Sequence, residues 1–263
     1  MADGVLWLRM PLPFGLDHIN LYLLRHGEGW VVVDTGLAVP RSREVWEKVF
    51  VEDMGRLPVL AVVCTHFHFD HSGLAAWLTE RFRCPLYMTR GEFQALYVTP
   101  DGREPGWEFH DFYRRAGLDD EQIASLLPTI EGMRFDGGLP RSYRRLRDGD
   151  WLKIGGRHWQ VVLGAGHSPE HACLFSKDDP LLIAGDQVLP RITSSVLVGA
   201  NEPMPIRWAT GWIPCAACVP CPTRPWCCPL TRGRSSVCTS VSTNCRNITN
   251  TTSTPSWSGS RAR

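Results

Sequence analysis

The segment Thr65-His66-Phe67-His68-Phe69-Asp70-His71-Ser72-Gly73 places three histidines and an aspartate within six residues. On extended backbone alternate side chains point the same way, so His66 and His68 can converge on one cation. Asp70 and His71 come next where the chain turns, placed to reach a second cation nearby. Imidazole and carboxylate are the ligands favoured by Zn²⁺ and similar borderline ions, and catalytic sites keep one position for water. Burying so many polar groups is costly unless something binds them. The bland alternative is a solvated loop in which histidines cluster by chance. A bound divalent ion lowers the pKa of its water from about 15.7 to about 7, which supplies a hydroxide nucleophile at neutral pH. There is no Gly-x-Ser-x-Gly elbow, and no cysteine has an evident base partner, so covalent catalysis is not needed.

Positioning these groups requires a strand that ends at the motif and a helix that comes after it. The apolar run Val59–Cys64 supplies the first, and Ser72–Phe82 supplies the second, with Leu74, Ala75, Leu78 and Phe82 on one face and Ser72 as N-cap. Further strands are expected at Val5–Leu8, Ile19–Leu24, Trp30–Val33, Trp159–Leu163, Ala172–Phe175 and Leu181–Ala184. Arg41–Phe50 has helical spacing, with Val45, Trp46, Val49 and Phe50 sharing a face. Between about residues 99 and 140, aromatic and basic residues mixed with Gly and Pro read as short helices forming a cap or insertion. Cys64 and Cys173 read as small core residues. His18, His26, His110 and His158 read as surface or satisfied histidines. Tyr143, Arg144, Arg145 and Arg147 read as a solvated face rather than an anion site.

Residues 1–202 thus read as one alternating domain without internal repeat, and 203–263 as something else. The 263-residue chain carries a net charge of +1, but no carboxylate follows Glu202 and no histidine follows His171. The stretch from Pro203 holds seven arginines, no lysine, one leucine and seven of the ten cysteines, which leaves −6 on the preceding part. It has no periodic apolar face and reads as disordered. Three readings compete: a metal knuckle at Cys215, Cys218 and Cys221 followed by Cys227 and Cys228; a disulfide-rich secreted module; or a shifted reading frame. The genetic code favours the last. With each codon started at the third nucleotide of the one before, Trp226-Cys227 gives Val, Cys227-Cys228 gives Leu, and Leu230-Thr231 gives His, Asn, Asp or Tyr. No run of about 18 apolar residues exists, so no membrane-spanning helix is expected. The opening Met1-Ala2-Asp3-Gly4 lacks a basic and apolar leader, so a cytoplasmic location is expected.

The motif resembles that of the metallo-β-lactamase superfamily, whose His-x-His-x-Asp-His signature stands here at His66–His71. The resemblance covers roughly residues 5–202. It extends to Asp34-Thr35-Gly36 after the Trp30–Val33 strand, to Gly166-His167-Ser168-Pro169-Glu170-His171, and to Gly185-Asp186. It implies an α+β fold, a four-layer αββα sandwich, with an incomplete C-terminal part here. It further implies two divalent ions, zinc first, with iron or manganese as the other choices. His66, His68 and His167 would hold the first ion; Asp70, His71 and Asp186 would serve the second, with Asp186 bridging. Asp70 would also orient the nucleophile and help move protons. His171 is expected to orient its neighbours rather than bind metal, and Asp34 either caps a turn or supports the metal loop. The family's last histidine, after a Val-Leu-Pro strand, is missing, and the shifted frame offers it at the Leu230/Thr231 junction.

The expected activity is that of a metal-dependent hydrolase. The segments around His167 and Asp186 look like the thioesterase-like branch that includes glyoxalase II and the β-lactamase-like protein 2 group, whose members hydrolyse thioesters, lactones or RNA. A small-molecule ester or thioester-like substrate is expected, because residues 1–202 are net acidic and a nuclease needs a basic groove with stacking aromatics. The alternatives are a nuclease of the same fold and a metal-binding protein inactivated by loss of the final histidine. His68 argues against the di-iron reductases on this scaffold, which typically carry Glu there.

Overall fold

The computed structural model describes residues 2–13, 15–98, 106–131, 138–189, 194–196 and 200. Three strands open the chain: β1 (Val5–Pro11), β2 (His18–His26) and β3 (Gly29–Val33). They form an antiparallel meander in which Val5 pairs with Leu24 and Tyr22 with Val33. Helix α1 (Pro40–Glu52) carries the chain over to β4 (Val59–Val63), which runs parallel to β3. Pro40 opens α1, where its missing N–H is no loss. The metal motif then forms a loop and the short helix α2 (Phe69–Ser72), before α3 (Ala75–Phe82), β5 (Leu86–Met88) and α4 (Arg90–Val98). Helices α5 (Trp107–Arg115) and α6 (Asp120–Glu131) precede β6 (Arg144–Arg145), which closes a six-stranded sheet in the order β1-β2-β3-β4-β5-β6. The second sheet is built from β7 (Trp151–Ile154), β8 (Arg157–Gly164), β9 (His171–Ser176) and β10 (Leu181–Ile183), antiparallel in the order β10-β9-β8-β7.

Side-chain alternation along the central strands explains the layering. Val31, Val33, Ala61 and Val63 face the second sheet and pack with Leu152, Ile154, Trp159, Val161, Ala172 and Leu174. Their neighbours Val32 and Val62 point the other way, into a core with Trp46, Val49 and Phe50 of α1, Leu78 of α3 and Leu96 of α4. Strands buried on both faces read as continuous apolar runs, as β3 and β4 do. Among the described residues, helix, sheet and sheet give three of the four expected layers; the tail from Pro203 lies outside those residues. Among the described residues no helix is long and apolar enough to cross a membrane.

Two expectations need correction. The expected helix from Ser72 to Phe82 is two helices, broken between α2 and α3, and Ser72 is not an N-cap. Its hydroxyl donates backwards to the carbonyls of Phe67 at 2.6 Å and His68 at 3.1 Å, which ends the first helix instead of starting the second. Gly73 sits at the break because a Cβ there would lie 2.3 Å from the Phe69 carbonyl oxygen and 2.8 Å from the Ala38 nitrogen. The expected apolar face survives: Leu74, Ala75 and Leu78 are fully buried and Phe82 packs on them. In the 99–140 region α5 and α6 are helical as expected, while residues 99–105 and 132–137 lie outside the described residues. Arg144 and Arg145 form the exposed edge strand, and the Arg144 guanidinium donates to the Tyr87 hydroxyl at 2.9 Å.

Candidate metal centre

Four chain segments meet at the ends of β3, β4, β8 and β10. Asp34 ends β3 in the left-handed region, at φ 63°, a conformation that Asp tolerates better than most residues. That turn buries its carboxylate against the neighbouring loop. One oxygen accepts the Thr65 N–H at 2.8 Å; the other accepts the Thr65 hydroxyl at 2.8 Å and the His71 Nδ1–H at 2.9 Å. Next to it, the Thr35 N–H and hydroxyl both donate to the His71 carbonyl, at 2.6 and 2.8 Å. These bonds tie Asp34 to the loop that carries His66 and His71.

The histidine protons are set by these partners. The Thr65 hydroxyl gives its proton to Asp34, so it accepts from His66 Nδ1, 3.0 Å away. His167 Nδ1 lies 3.0 Å from the Ser195 carbonyl, which can only accept. His71 Nδ1 donates to Asp34. All three rings therefore direct Nε2 inward, and an oxygen behind each ring fixes the tautomer, the arrangement typical of metal-bound histidine. His66 Nε2 stands 3.3 Å from His167 Nε2 and 3.0 Å from His68 Nδ1. Two unprotonated nitrogens that close repel one another unless a cation lies between them.

Among the described residues two groups of potential ligands result, each with its donor atoms within 4.8 Å of one another: His66, His68 and His167, and His66, His71 and Asp186. The Asp186 carboxylate reaches toward both, with Oδ1 at 3.3 Å from His71 Nε2 and Oδ2 at 3.6 Å from His167 Nε2. Asp70 stands outside both groups, its Oδ2 at 3.9 Å from His71 Nε2. His71 Nε2 is buried without a well-formed hydrogen bond, facing those two carboxylates. That orphaned nitrogen and the imidazole–carboxylate donor set fit a borderline divalent ion.

Burial and charge set the protonation of the metal-free cluster. Burial, reinforced by the surrounding imidazoles, holds His66 well below the usual histidine range. Burial likewise drives His171 down to about 3 and lowers His167. For His71 burial acts downward too, but the carboxylates of Asp34, Asp186 and Asp70 outweigh it and raise the imidazole well above its ordinary value. Burial also opposes the charge of Asp186, yet His71 beside it brings the carboxyl down to about 2. Asp70 is raised, chiefly by burial. The neutral His171 stacks on His66 at 4.6 Å and accepts the Asp186 N–H at 3.2 Å through Nε2, so its ring nitrogen is used in orienting a neighbour. Gly185, at φ 49°, allows this approach, since a Cβ there would lie 2.7 Å from the His171 ring.

Glu92 belongs to the site although its sequence context does not single it out. Its side chain is fully buried on the first turn of α4 and accepts the Phe67 N–H at 2.9 Å, the Ser168 hydroxyl at 2.7 Å and the Glu170 N–H at 2.6 Å. Burial pushes its carboxyl up to about 7. The available signal, Thr89-Arg90-Gly91-Glu92, has the spacing of a helix capping box and points only to a helix start. Elsewhere, His158 pairs with Asp178 at 3.1 Å and His26 accepts the Gly155 N–H at 3.1 Å, so both are satisfied outside the cluster. Cys64 and Cys173 are buried thiols.

Comparison with known proteins places this geometry in a family. The profile described as "Metallo-beta-lactamase superfamily" matches residues 14–211. The human protein named acyl-coenzyme A thioesterase MBLAC2 is 28% identical over 207 residues, which cover 72% of this chain and 64% of that protein. The probable metallo-hydrolase YqjP of Bacillus subtilis is 23% identical over 212 residues, or 78% of this chain and 64% of the relative. The crystal structure of a β-lactamase domain protein from Burkholderia ambifaria superposes with a TM-score of 0.68 at 44% identity, covering 80% of this chain and 63% of the other. The chain thus spans a little under two thirds of the length of each of these proteins. It belongs to the metallo-β-lactamase superfamily.

Proposed function

We propose that the chain is a metal-dependent hydrolase acting on a small-molecule thioester or ester, with His66, His68 and His167 holding one divalent ion and His71, Asp186 and Asp70 serving a second. The observation that carries this is the set of three histidine Nε2 atoms directed inward by oxygen partners at Nδ1, two of them only 3.3 Å apart. Zinc fits this donor set, and iron or manganese are the competing choices. When bound, such ions supply Lewis acidity toward a substrate carbonyl and a nucleophilic water at neutral pH. The protein's own part is orientation and proton handling. Asp186, whose two oxygens face the two groups, sets their spacing. Asp34 and the Ser195 carbonyl keep His71 and His167 in the metal-binding tautomer. Asp70 holds a proton more readily than an exposed aspartate because burial raises its carboxyl, which suits it to take the nucleophile's proton and return it to the leaving group.

The thioester choice rests on the name of the human relative, and a panel of thioester, lactone and RNA substrates tests it. Thioester turnover that is lost in His68→Ala is the expected result; dominant RNA cleavage lost in the same variant would replace it with the nuclease reading. A separate observation favours a weakened centre in the chain as it stands, namely that no histidine follows His171. Restoring the shifted frame after Pro203 is therefore expected to raise metal affinity and the thermal midpoint together. Equal metal content and thermal stability in the two chains would reject the frame reading.

A further inference from the structure

We propose that Glu92 is the positioning residue that sets the distance between the two loops supplying the His66–His68–His167 ligands, so that α4 acts as the bracket of the first metal site. This inference rests on the two-metal reading of the centre.

The His66–His68 loop and the His167 loop are about a hundred residues apart in sequence and belong to different sheets. Among the described residues, one buried carboxylate joins them. Glu92 Oε2 accepts the N–H of Phe67, the residue between His66 and His68. Glu92 Oε1 accepts the hydroxyl of Ser168, the residue after His167, and the N–H of Glu170 two residues further on. The same turn of α4 is fastened to the second loop twice more. The Gly91 N–H donates to Glu170 Oε2 at 2.9 Å, and the Thr89 hydroxyl donates to the Glu170 carbonyl at 2.8 Å. Gly91 permits this closeness, since a Cβ there would stand 3.0 Å from Glu170 Cγ. Thr89, Glu92 and Ser168 are all fully buried, and the Glu92–Ser168 bond is shielded from solvent.

The geometry assigns the carboxylate a task that an amide cannot perform. Both oxygens of Glu92 accept, and each serves a different loop. Glutamine has one accepting end, so its NH₂ must confront either the Phe67 N–H or the donors of Ser168 and Glu170. One loop is then released while size and packing stay nearly the same. Loss of a group that orients metal ligands typically weakens metal binding roughly 10–100-fold.

The experiment is zinc affinity by competition with a chromogenic chelator, together with the visible spectrum of the Co²⁺-loaded protein, for the parent, Glu92→Gln and Ser168→Ala. The expected result is a roughly 10–100-fold loss of zinc affinity in Glu92→Gln with altered Co²⁺ bands, and a smaller change in the same direction in Ser168→Ala. In both variants the thermal midpoint of the metal-loaded protein should fall more than that of the metal-free protein. If Glu92→Gln does not fold, Ser168→Ala carries the test, because it removes one donor and leaves the carboxylate in place. Unchanged affinity and Co²⁺ bands in the folded variants, beside a parent that binds metal, would overturn the role of Glu92 alone. A parent that binds neither ion would overturn the metal reading, and this inference with it.

Discussion

Replacing His66 with alanine is expected to strip the ion of the first group and to weaken the second, whose ligands pack against the same ring. His66 lies beside both groups, is fully buried, and faces His68 at 3.0 Å and His167 at 3.3 Å, but its one free nitrogen, Nε2, binds a single ion. His68→Ala should disturb the second group less, since His68 belongs only to the first and its loss leaves His66, His71 and Asp186 in place. Elemental analysis of dialysed protein ranks the two: less metal in His66→Ala than in His68→Ala, and less in both than in the parent. Removing metal assistance costs several kcal/mol of transition-state stabilisation, or about 10³-fold or more in rate, so both variants should lose turnover. Metal content in His66→Ala equal to that of the parent would show that the ion is held elsewhere.

Asp34→Ala should be among the most destabilising single changes in the metal-free chain. The carboxylate is buried at 1% exposure and holds three donors, the Thr65 N–H, the Thr65 hydroxyl and His71 Nδ1–H. Removing it strands an imidazole whose pKa is raised partly by Asp34, together with a backbone N–H that no water reaches. Breaking a buried charge pair in this way costs roughly 3–5 kcal/mol, a large part of the 5–15 kcal/mol that stabilises an ordinary domain. The left-handed backbone at this position adds to the cost, because alanine tolerates it less well than aspartate. Urea unfolding of the apoprotein measures the loss, and a change below about 1 kcal/mol would mean that the loop holds its shape without Asp34.

Much of the fold is legible in the residues. The apolar runs of β1 to β4 and of β8 to β10 are long enough, and rich enough in β-branched residues, to declare themselves. The strands that escape notice are β5, β6 and β7, of three, two and four residues. Runs so short carry no periodicity, and the parallel pairing of Leu86–Met88 with Val62 and Val63 is a long-range contact that local sequence does not encode. The broken helix at Ser72 has a similar origin. Ser before an apolar stripe is the usual mark of a helix start, but here its hydroxyl finds carbonyls of the preceding turn, and Gly73 is pressed against Phe69 and Ala38.

The metal cluster is legible at two levels. His66, His68, Asp70 and His71 stand together in sequence, and their types alone suggest a cation site. His167 and Asp186 join them only through the family resemblance, because nothing local says that loops a hundred residues apart meet. The structure brings His167 and Asp186 to the motif, and leaves Asp70 at its edge, 3.9 Å from His71 Nε2. Glu92 escapes because its spacing from Thr89 imitates a capping box, whereas its oxygens turn away from its own helix toward two other loops.

The most direct measurement is anomalous diffraction at the zinc edge from crystals grown with zinc. A peak enclosed by His66 Nε2, His68 and His167 Nε2 is expected, with a second and weaker peak between His71 Nε2 and Asp186. A zinc-saturated crystal with no peak among those histidines, or with its ion held by the cysteines beyond Pro203, would contradict the two-metal centre.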